Sequence, residues 1–446
     1  MNKIRAGLAG TVLLAASTQA IGSNVDAKLL DMLLANGSIT QAQHSELVGD
    51  LATEERVAER KKKRESRQKL DKKEFTTFQQ TAGWAATTVF KGDMRARNDI
   101  INIEDEPKFE TRAPGASATS AVSGRDKDRQ RIRARLGAFT QINTQVETGI
   151  QIASGGSPDR RSTNQDLDGY FDKKAIWLDL AYIDYHPVSV PGLKLFAGKM
   201  KQPWMALGDV AWDGDINPEG FAGSYQRKYG TTTLFGSAGY FVLKDNVDGE
   251  GVEWKNDLSL YSVQGGVSFD ANDSMRITVG ASLYNYRGDG EEGTQPAILL
   301  TANGNTTDEF TLYEGFGQMD VIGLPLPLTL YGQYIVNVDA TDFKTFQDGN
   351  EDTAWLFGVR TNVAGIAFDY TYRDVERNAV VGHFTDSDFA SGFVASSGHK
   401  LKAQYDFLEN FNLTVSWFYA ESDAASRFNN NDAQVETLMI DLNAKF

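Results

Sequence analysis

From about Gly83 to the last residue, apolar and polar side chains alternate with a period of two, in stretches of about 9 to 13 residues. Successive side chains of a strand point to opposite faces, so each stretch sets one face against an apolar medium and the other against water. Leu401, Ala403, Tyr405 and Phe407 alternate with Lys400, Lys402, Gln404 and Asp406. Ile132, Ala134, Leu136 and Ala138 alternate with Arg131, Arg133 and Arg135, and Trp355, Phe357 and Val359 with Leu356, Gly358 and Arg360. A soluble sandwich hides its apolar face and produces the same local pattern. The periodicity therefore predicts strands and leaves two architectures open.

The connections separate the two. Short links at Asn143-Thr144, Val190 to Leu193, Ala271 to Ser274, Gly323 to Pro327, Ala364-Gly365 and Glu409-Asn410 alternate with long ones. The long links run from Ile100 to Lys127, Ser154 to Lys173, Lys244 to Asp257, Gly288 to Asp308, Ala340 to Asp352, Val380 to Gly398 and Ser422 to Asp432. Tight turns on one side of a membrane and long loops on the other give this rhythm in a transmembrane, antiparallel up-and-down β-barrel. The stretches predict an all-β barrel of about 16 strands over residues 81–446, a size that leaves an aqueous lumen.

Composition agrees with crossing by strands rather than helices. Past the first 20 positions there is no run of about 20 apolar residues, and the mean hydropathy is -0.38. A net charge of -15 argues against a nucleic-acid partner, because phosphate backbones select basic surfaces. The absence of cysteine excludes disulfides, thiolate-held zinc and thiol catalysis. Lys3 and Arg5 precede an apolar stretch from Ala6 to Ala16, with small Thr18 and Ala20 placed for cleavage. Residues 1–20 thus read as a secretion signal, and the mature chain is expected to start near Ile21. Leu29, Leu30, Leu33 and Leu34, a break at Asn36-Gly37, and Ile39 to Leu47 predict two short helices around a turn. Glu54 to Glu74 is nearly all Lys, Arg and Glu, as in a solvated helix, a weak coiled coil or a flexible linker. Residues 21–80 are expected to form a small periplasmic appendage.

The chain ends on a strand whose Leu438, Ile440, Leu442, Ala444 and Phe446 share one face. A C-terminal Phe on such a strand resembles the signal that barrel-assembly machinery reads in outer-membrane proteins. Aromatic residues gather near strand ends, among them Trp84, Phe90, Tyr182, Tyr185, Phe196, Tyr334, Phe411, Trp417 and Tyr419, as the girdles of a membrane barrel require. Signal peptide, short helical segment, alternating strands and terminal Phe together resemble a Gram-negative outer-membrane porin, specifically the putative porin family with an N-terminal periplasmic helical segment. The stretch Gly198-Lys199-Met200-Lys201-Gln202-Pro203-Trp204 is similar to a Gly-x-x-Lys-x-Pro-aromatic stretch of phosphate-selective porins. The resemblance implies passive diffusion of small polar or anionic solutes through a homotrimer set among lipid and lipopolysaccharide. It implies no cofactor.

If the apolar faces meet lipid, a set of cations turns inward: Lys91, Arg95 and Arg97; Arg131, Arg133 and Arg135; Lys199 and Lys201; Arg360; Arg373 and Arg377; Lys400 and Lys402. A charge facing lipid at the midplane costs about 2 to 4 kcal/mol, which drives these groups into the lumen. Standing free they favour anions. Paired with Asp93, Asp179, Asp369, Asp406 and Asp441 they give a mixed field with little selectivity. Acidic residues concentrate in the long links, including Asp213, Asp215, Glu219, Asp248, Glu250, Asp289, Glu291, Glu292, Asp348, Glu351 and Asp352. Trp204 to Phe221 is a candidate for a loop folded into the lumen as a constriction. Its Asp213 to Glu219 begins like a calcium-binding loop, but Pro218 stands where that loop needs glycine.

Catalysis finds little support. The four histidines are His44, His186, His383 and His399, with no Gly-x-Ser-x-Gly elbow and no His-Glu-x-x-His among them. Ser396, Ser397 and His399 are close along one loop only. A structural or adhesin-like barrel without an open pore is the alternative.

Overall fold

The computed structural model describes residues 20–35, 38, 40–69, 87–104, 126–156, 160–244, 258–288, 302–307, 309–322, 324–340, 351–425 and 432–446. Residues 1–19 of the expected signal at residues 1–20, the Asn36-Gly37 break, Trp84 and the acidic Asp248, Glu250, Asp289, Glu291, Glu292 and Asp348 lie outside them. The chain divides into two units, Met1–Ala86 and Thr87–Phe446.

The first unit holds α1 (Ala20–Ala35) and α2 (Gln41–Lys69). Thr40 starts α2 with a reciprocal cap: its Oγ1 accepts the Gln43 amide at 3.3 Å, and Gln43 Oε1 accepts the Thr40 amide at 3.0 Å. His44 Nε2 meets Asp31 Oδ1 at 3.0 Å between the two helices. The second helix is not short. It continues through the charged stretch to Lys69, where Glu, Arg, Lys and Gln are all good helix formers.

The second unit is a single sheet. Its first strands are β1 (Thr88–Glu104), β2 (Lys127–Asn143), β3 (Val146–Ser154), the two-residue β4 (Gln165–Asp166), β5 (Ile176–Tyr185) and β6 (Leu193–Lys199). Then come β7 (Glu219–Tyr229), β8 (Thr232–Lys244), β9 (Leu258–Asn272), β10 (Met275–Arg287), β11 (Thr311–Val321) and β12 (Leu328–Asn337). The last are β13 (Thr353–Val363), β14 (Ile366–Val375), β15 (Ser396–Leu408), β16 (Phe411–Ser422) and β17 (Ala433–Lys445). Apart from β4, which only borders β2, each strand pairs antiparallel with its neighbours along the chain, and β17 pairs with β1. Among the described residues sixteen strands therefore close a barrel and leave no edge open.

Phe446 completes the seam. Its amide and carbonyl exchange bonds of 3.0 and 2.9 Å with Gly92, whose missing side chain makes room for the ring: a Cβ there would lie 2.4 Å from the Phe446 Cζ.

The alternation takes the predicted sense. Leu136, Trp355, Phe357, Leu401 and Tyr405 are exposed on the outer wall, whereas Arg131, Arg133 and Leu356 are buried within. Of the expected aromatic belt, Phe90, Tyr185 and Tyr334 are exposed, but Tyr182 and Phe196 pack against the inner core. That core was not expected in a porin-sized barrel. Phe241, Leu258, Leu260, Tyr284, Tyr286, Leu312, Phe316, Tyr331, Ile335 and Leu356 turn inward from β8 to β13 and bury themselves against the β6–β7 connection. The interior is thus divided. One side is packed like a soluble domain, and the other carries the charges.

Candidate functional site

The site is built on the segment 200–218 that joins β6 to β7. The chain leaves and rejoins the wall at Gly198 and Gly220, which face each other in the ladder with φ of +115° and +153°. A Cβ at either would lie 2.3 or 2.1 Å from a neighbouring strand's carbonyl oxygen, so the exit geometry demands glycine twice.

From there the segment crosses the lumen. Trp204 and Trp212 lie 4.9 Å apart, with Trp204 edge-on to Phe241 and Tyr284 and Trp212 stacked on Phe384 at 5.3 Å. Gln264 of β9 exchanges bonds of 2.7 and 2.8 Å with the Met205 backbone. Arg360 of β13 donates to the Leu207 carbonyl at 3.2 Å, and a Cβ on Gly208 would touch Leu356 of β13 at 2.7 Å. Since β13 lies nearly half-way round the strand order from β6, the segment reaches the opposite wall.

Charges occupy the space it leaves. Arg95, Arg97, Arg133, Arg135, Lys400 and Lys402 line one cavity of about 370 Å³ with Asp93, Asp209, Asp213, Asp215, Asp386, Asp388 and Asp441. Most of these cations are paired. Arg97 holds Asp441 side-on at 2.6 and 2.9 Å, a two-bond geometry that fixes the guanidinium plane. Arg133 and Arg135 donate to opposite oxygens of Asp93 at 3.0 and 2.8 Å, and Arg135 also reaches Asp215 at 3.1 Å. Arg95 lies 3.8 Å from Asp441 and donates to Asn443 at 2.9 Å. Arg131 sits 2.8 Å from Asp166 and 3.5 Å from Asp99.

The remaining predicted residues scatter. Arg360, Arg373 and Lys400 line an adjoining cavity of about 240 Å³, where Arg360 meets Asp369 at 3.0 Å and covers the Tyr331 ring at 3.9 Å. Arg373 covers Phe389 at 3.7 Å. Lys199 lines a third cavity, of about 520 Å³, held by Glu219 at 2.6 Å and the Asn217 carbonyl at 3.2 Å. Lys91 stands over Phe139 at 5.8 Å.

Two placements differ from expectation. Lys201 lies on the crossing segment, because β6 ends at Lys199. Arg377 lies beyond the end of β14, so strand alternation no longer aims it inward; it binds Glu351 at 3.1 Å and Asp423 among the connections. Of the acids expected to balance the cations, Asp93, Asp369 and Asp441 pair with them, whereas Asp179 accepts Gln151 and Asn217 amides and Asp406 a Gln404 amide.

Sequence reasoning missed Arg129, although it shares the period-two face of Arg131; it binds Asp99 at 2.9 Å. It also missed Arg161, whose guanidinium donates to the carbonyls of Gly382, Thr385 and Gly392 and which no local pattern marks. Burial, reinforced by the charges of Asp386 and Asp209, pushes the Asp213 carboxyl up to about 8. Burial opposes ionisation of Asp386 too, yet Lys400 and Arg373 hold its carboxyl below the ordinary value. Burial with Arg160 and Arg161 nearby pushes His383 down to about 4, so its imidazole is neutral at pH 7.

The sequence matches the family described as "putative porin" over residues 63–311 and 365–446, most of its length. The chain belongs to that family. Porin membership and the closed barrel place it in an outer membrane as a channel protein. No curated protein matches the sequence. Among solved structures, a substituted form of the Rhodopseudomonas blastica porin is 11% identical, covers 80% of this chain and 100% of its own, and superposes with a TM-score of 0.41. A triple mutant of the same porin is 12% identical over the same shares, with a TM-score of 0.41.

Proposed function

We propose that this porin is a water-filled channel for passive diffusion of small polar solutes, with a slight preference for anions. The observation that carries the reading is the cavity of about 370 Å³ beside the crossing segment, where eight Arg and Lys side chains face seven Asp. Opposite charges across a narrow passage make a transverse field, which orients dipolar solutes and leaves only a small net selectivity. Asp213, with its carboxyl pushed up to about 8, is mostly uncharged at pH 7 and tips the balance toward cationic lining. The pore-lining set is then Arg95, Arg97, Arg131, Arg133, Arg135, Arg360, Arg373, Lys91, Lys199, Lys201, Lys400 and Lys402. Arg377 drops out of it.

In this reading residues 21–80 lie in the periplasm behind a cleaved signal, Phe446 serves as the assembly signal, and the barrel works as a homotrimer among lipid and lipopolysaccharide. The protein needs no cofactor and runs no reaction. Planar-bilayer recording under a KCl gradient tests the proposal. An open-channel current with a reversal potential on the anion side supports it; cation selectivity sinks the anion preference, and folded protein without current sinks the channel in favour of a closed structural barrel.

A further inference from the structure

We propose that residues 376–395, joining β14 to β15, form a second constriction loop, and that Asp386 and Asp388 on it help to determine the channel's selectivity. The inference rests on the channel reading above and adds to it a second source for the acidic wall.

The loop is folded inward. Thr385, Phe389, Ala390 and Val394 have at most 1% of their surface exposed, and Phe389 lies between Arg373 and Phe418 of the wall. Main-chain bonds dock it on the crossing segment: the Asp213 amide donates to the Phe384 carbonyl at 2.6 Å, and the Asp386 amide to the Asp209 carbonyl at 2.9 Å. The Ser387 amide adds a bond of 3.0 Å to the Asp213 carboxyl. From the β3–β5 connection, Arg161 ties three of the loop's carbonyls together at 3.0 to 3.3 Å. Ala390 and Ser391 take left-handed φ values of +48° and +55° without being glycine, a conformation that persists only where surrounding contacts over-determine it. The loop therefore presents its carboxylates at fixed positions.

Those positions face the basic wall. Asp388 lies 3.2 Å from Arg97, which already holds Asp441, and Asp386 lies 3.3 Å from Lys400. Both carboxylates border the same cavity as Asp213 and Asp215. The acidic side of the passage is thus shared between two loops from distant parts of the chain. Removing the Asp388 charge leaves Arg97 with one partner and the passage more basic.

The chain has no cysteine, which allows a clean test in the full-length protein. Asp388→Asn is expected to raise the chloride-to-potassium permeability ratio about twofold, the effect of one charge a few ångströms from a wet path. Glu436→Gln, on the outer wall beside Trp417, is expected to leave it unchanged. Asp388 is 29% exposed, so a thiol placed there by Asp388→Cys is open to reagents added to channels already conducting. A cationic thiosulfonate should lower conductance and move the reversal potential further toward chloride, and an anionic one should move it back toward the parent. A conducting parent whose Asp388→Asn variant and labelled Asp388→Cys variant keep its reversal potential and conductance overturns the second loop alone. An equal shift in Glu436→Gln overturns it as well, and a folded parent with no current removes the channel on which it rests.

Discussion

Asp93 shows how much of the site a sequence can reveal one residue at a time. It sits on the inner face of β1 between two arginines of β2, and period-two alternation assigns Asp93, Arg133 and Arg135 to that face before any fold is known. What alternation leaves out is the third partner. Asp215 reaches Arg135 from the crossing segment, and nothing within a few residues of Asp215 encodes that approach. The pair Arg133→Gln and Arg135→Gln would strip two cations and leave Asp93 and Asp215 uncompensated. The expected reversal potential under a KCl gradient moves to the cation side, and a double variant that stays with the parent excludes these arginines from the path. Asp213 adds a pH dependence of definite sign. Its carboxyl ionises near pH 8 rather than near 4, so the passage gains a negative charge as pH rises through about 8. Anion preference should fall between pH 7 and 9. Asp213→Asn, which removes the titration and keeps an oxygen for one of the two amides that Asp213 accepts, from Asp215 and Ser387, should flatten that fall.

The elements were legible unevenly, for a physical reason. A strand between lipid and water writes alternation into its sequence, and the outer faces of β13 and β15 were read from that alone. Strands β8 to β12 carry apolar side chains on both faces, so their inner Phe241, Leu260, Tyr284, Leu312 and Ile335 read as ordinary strand residues. Their partner is the crossing segment, which has no repeat to betray it. The acid-rich stretch Trp204 to Phe221 marks the segment in the sequence, and the paired glycines Gly198 and Gly220 mark where it leaves and rejoins the wall. Trp204, 6% exposed and in contact with Trp212, Phe241 and Tyr284, anchors the segment. Trp204→Ala should cost about 3 to 5 kcal/mol of unfolding free energy, a value set by the lost burial and the cavity left behind. The same variant should conduct more and with greater noise as the segment loosens. Urea titration of the folded barrel and single-channel recording read the two effects separately; unchanged conductance in a destabilised variant would mean that the segment does not restrict the passage.

At the scale of the molecule, closure joins the two ends of the barrel's chain. β1 pairs with β17 over twelve residue pairs from Asp93↔Lys445 to Glu104↔Gln434, and Phe446 adds the last rung on Gly92. Pairing across so long a separation cannot begin until the whole strand set exists, and it abolishes the final pair of edges in one step. The terminal Phe therefore has two possible duties, as a packed rung of the seam and as a signal read by assembly machinery. The two separate experimentally. Deleting Phe446 removes the Gly92 bonds and the ring that fills the space above it, whereas Gly92→Ala leaves the terminus intact but sets a Cβ 2.4 Å from that ring and 2.6 Å from the Arg135 carbonyl oxygen. If the seam contact matters, both variants should lower the heat-modifiable fraction of protein refolded from urea into lipid vesicles, where no machinery is present. If the signal matters, deletion should also reduce folded barrel in cells well below the Gly92→Ala level. A deletion that refolds like the parent in vesicles yet fails in cells would assign Phe446 to recognition alone, and one that matches the parent in both settings would leave it neither duty.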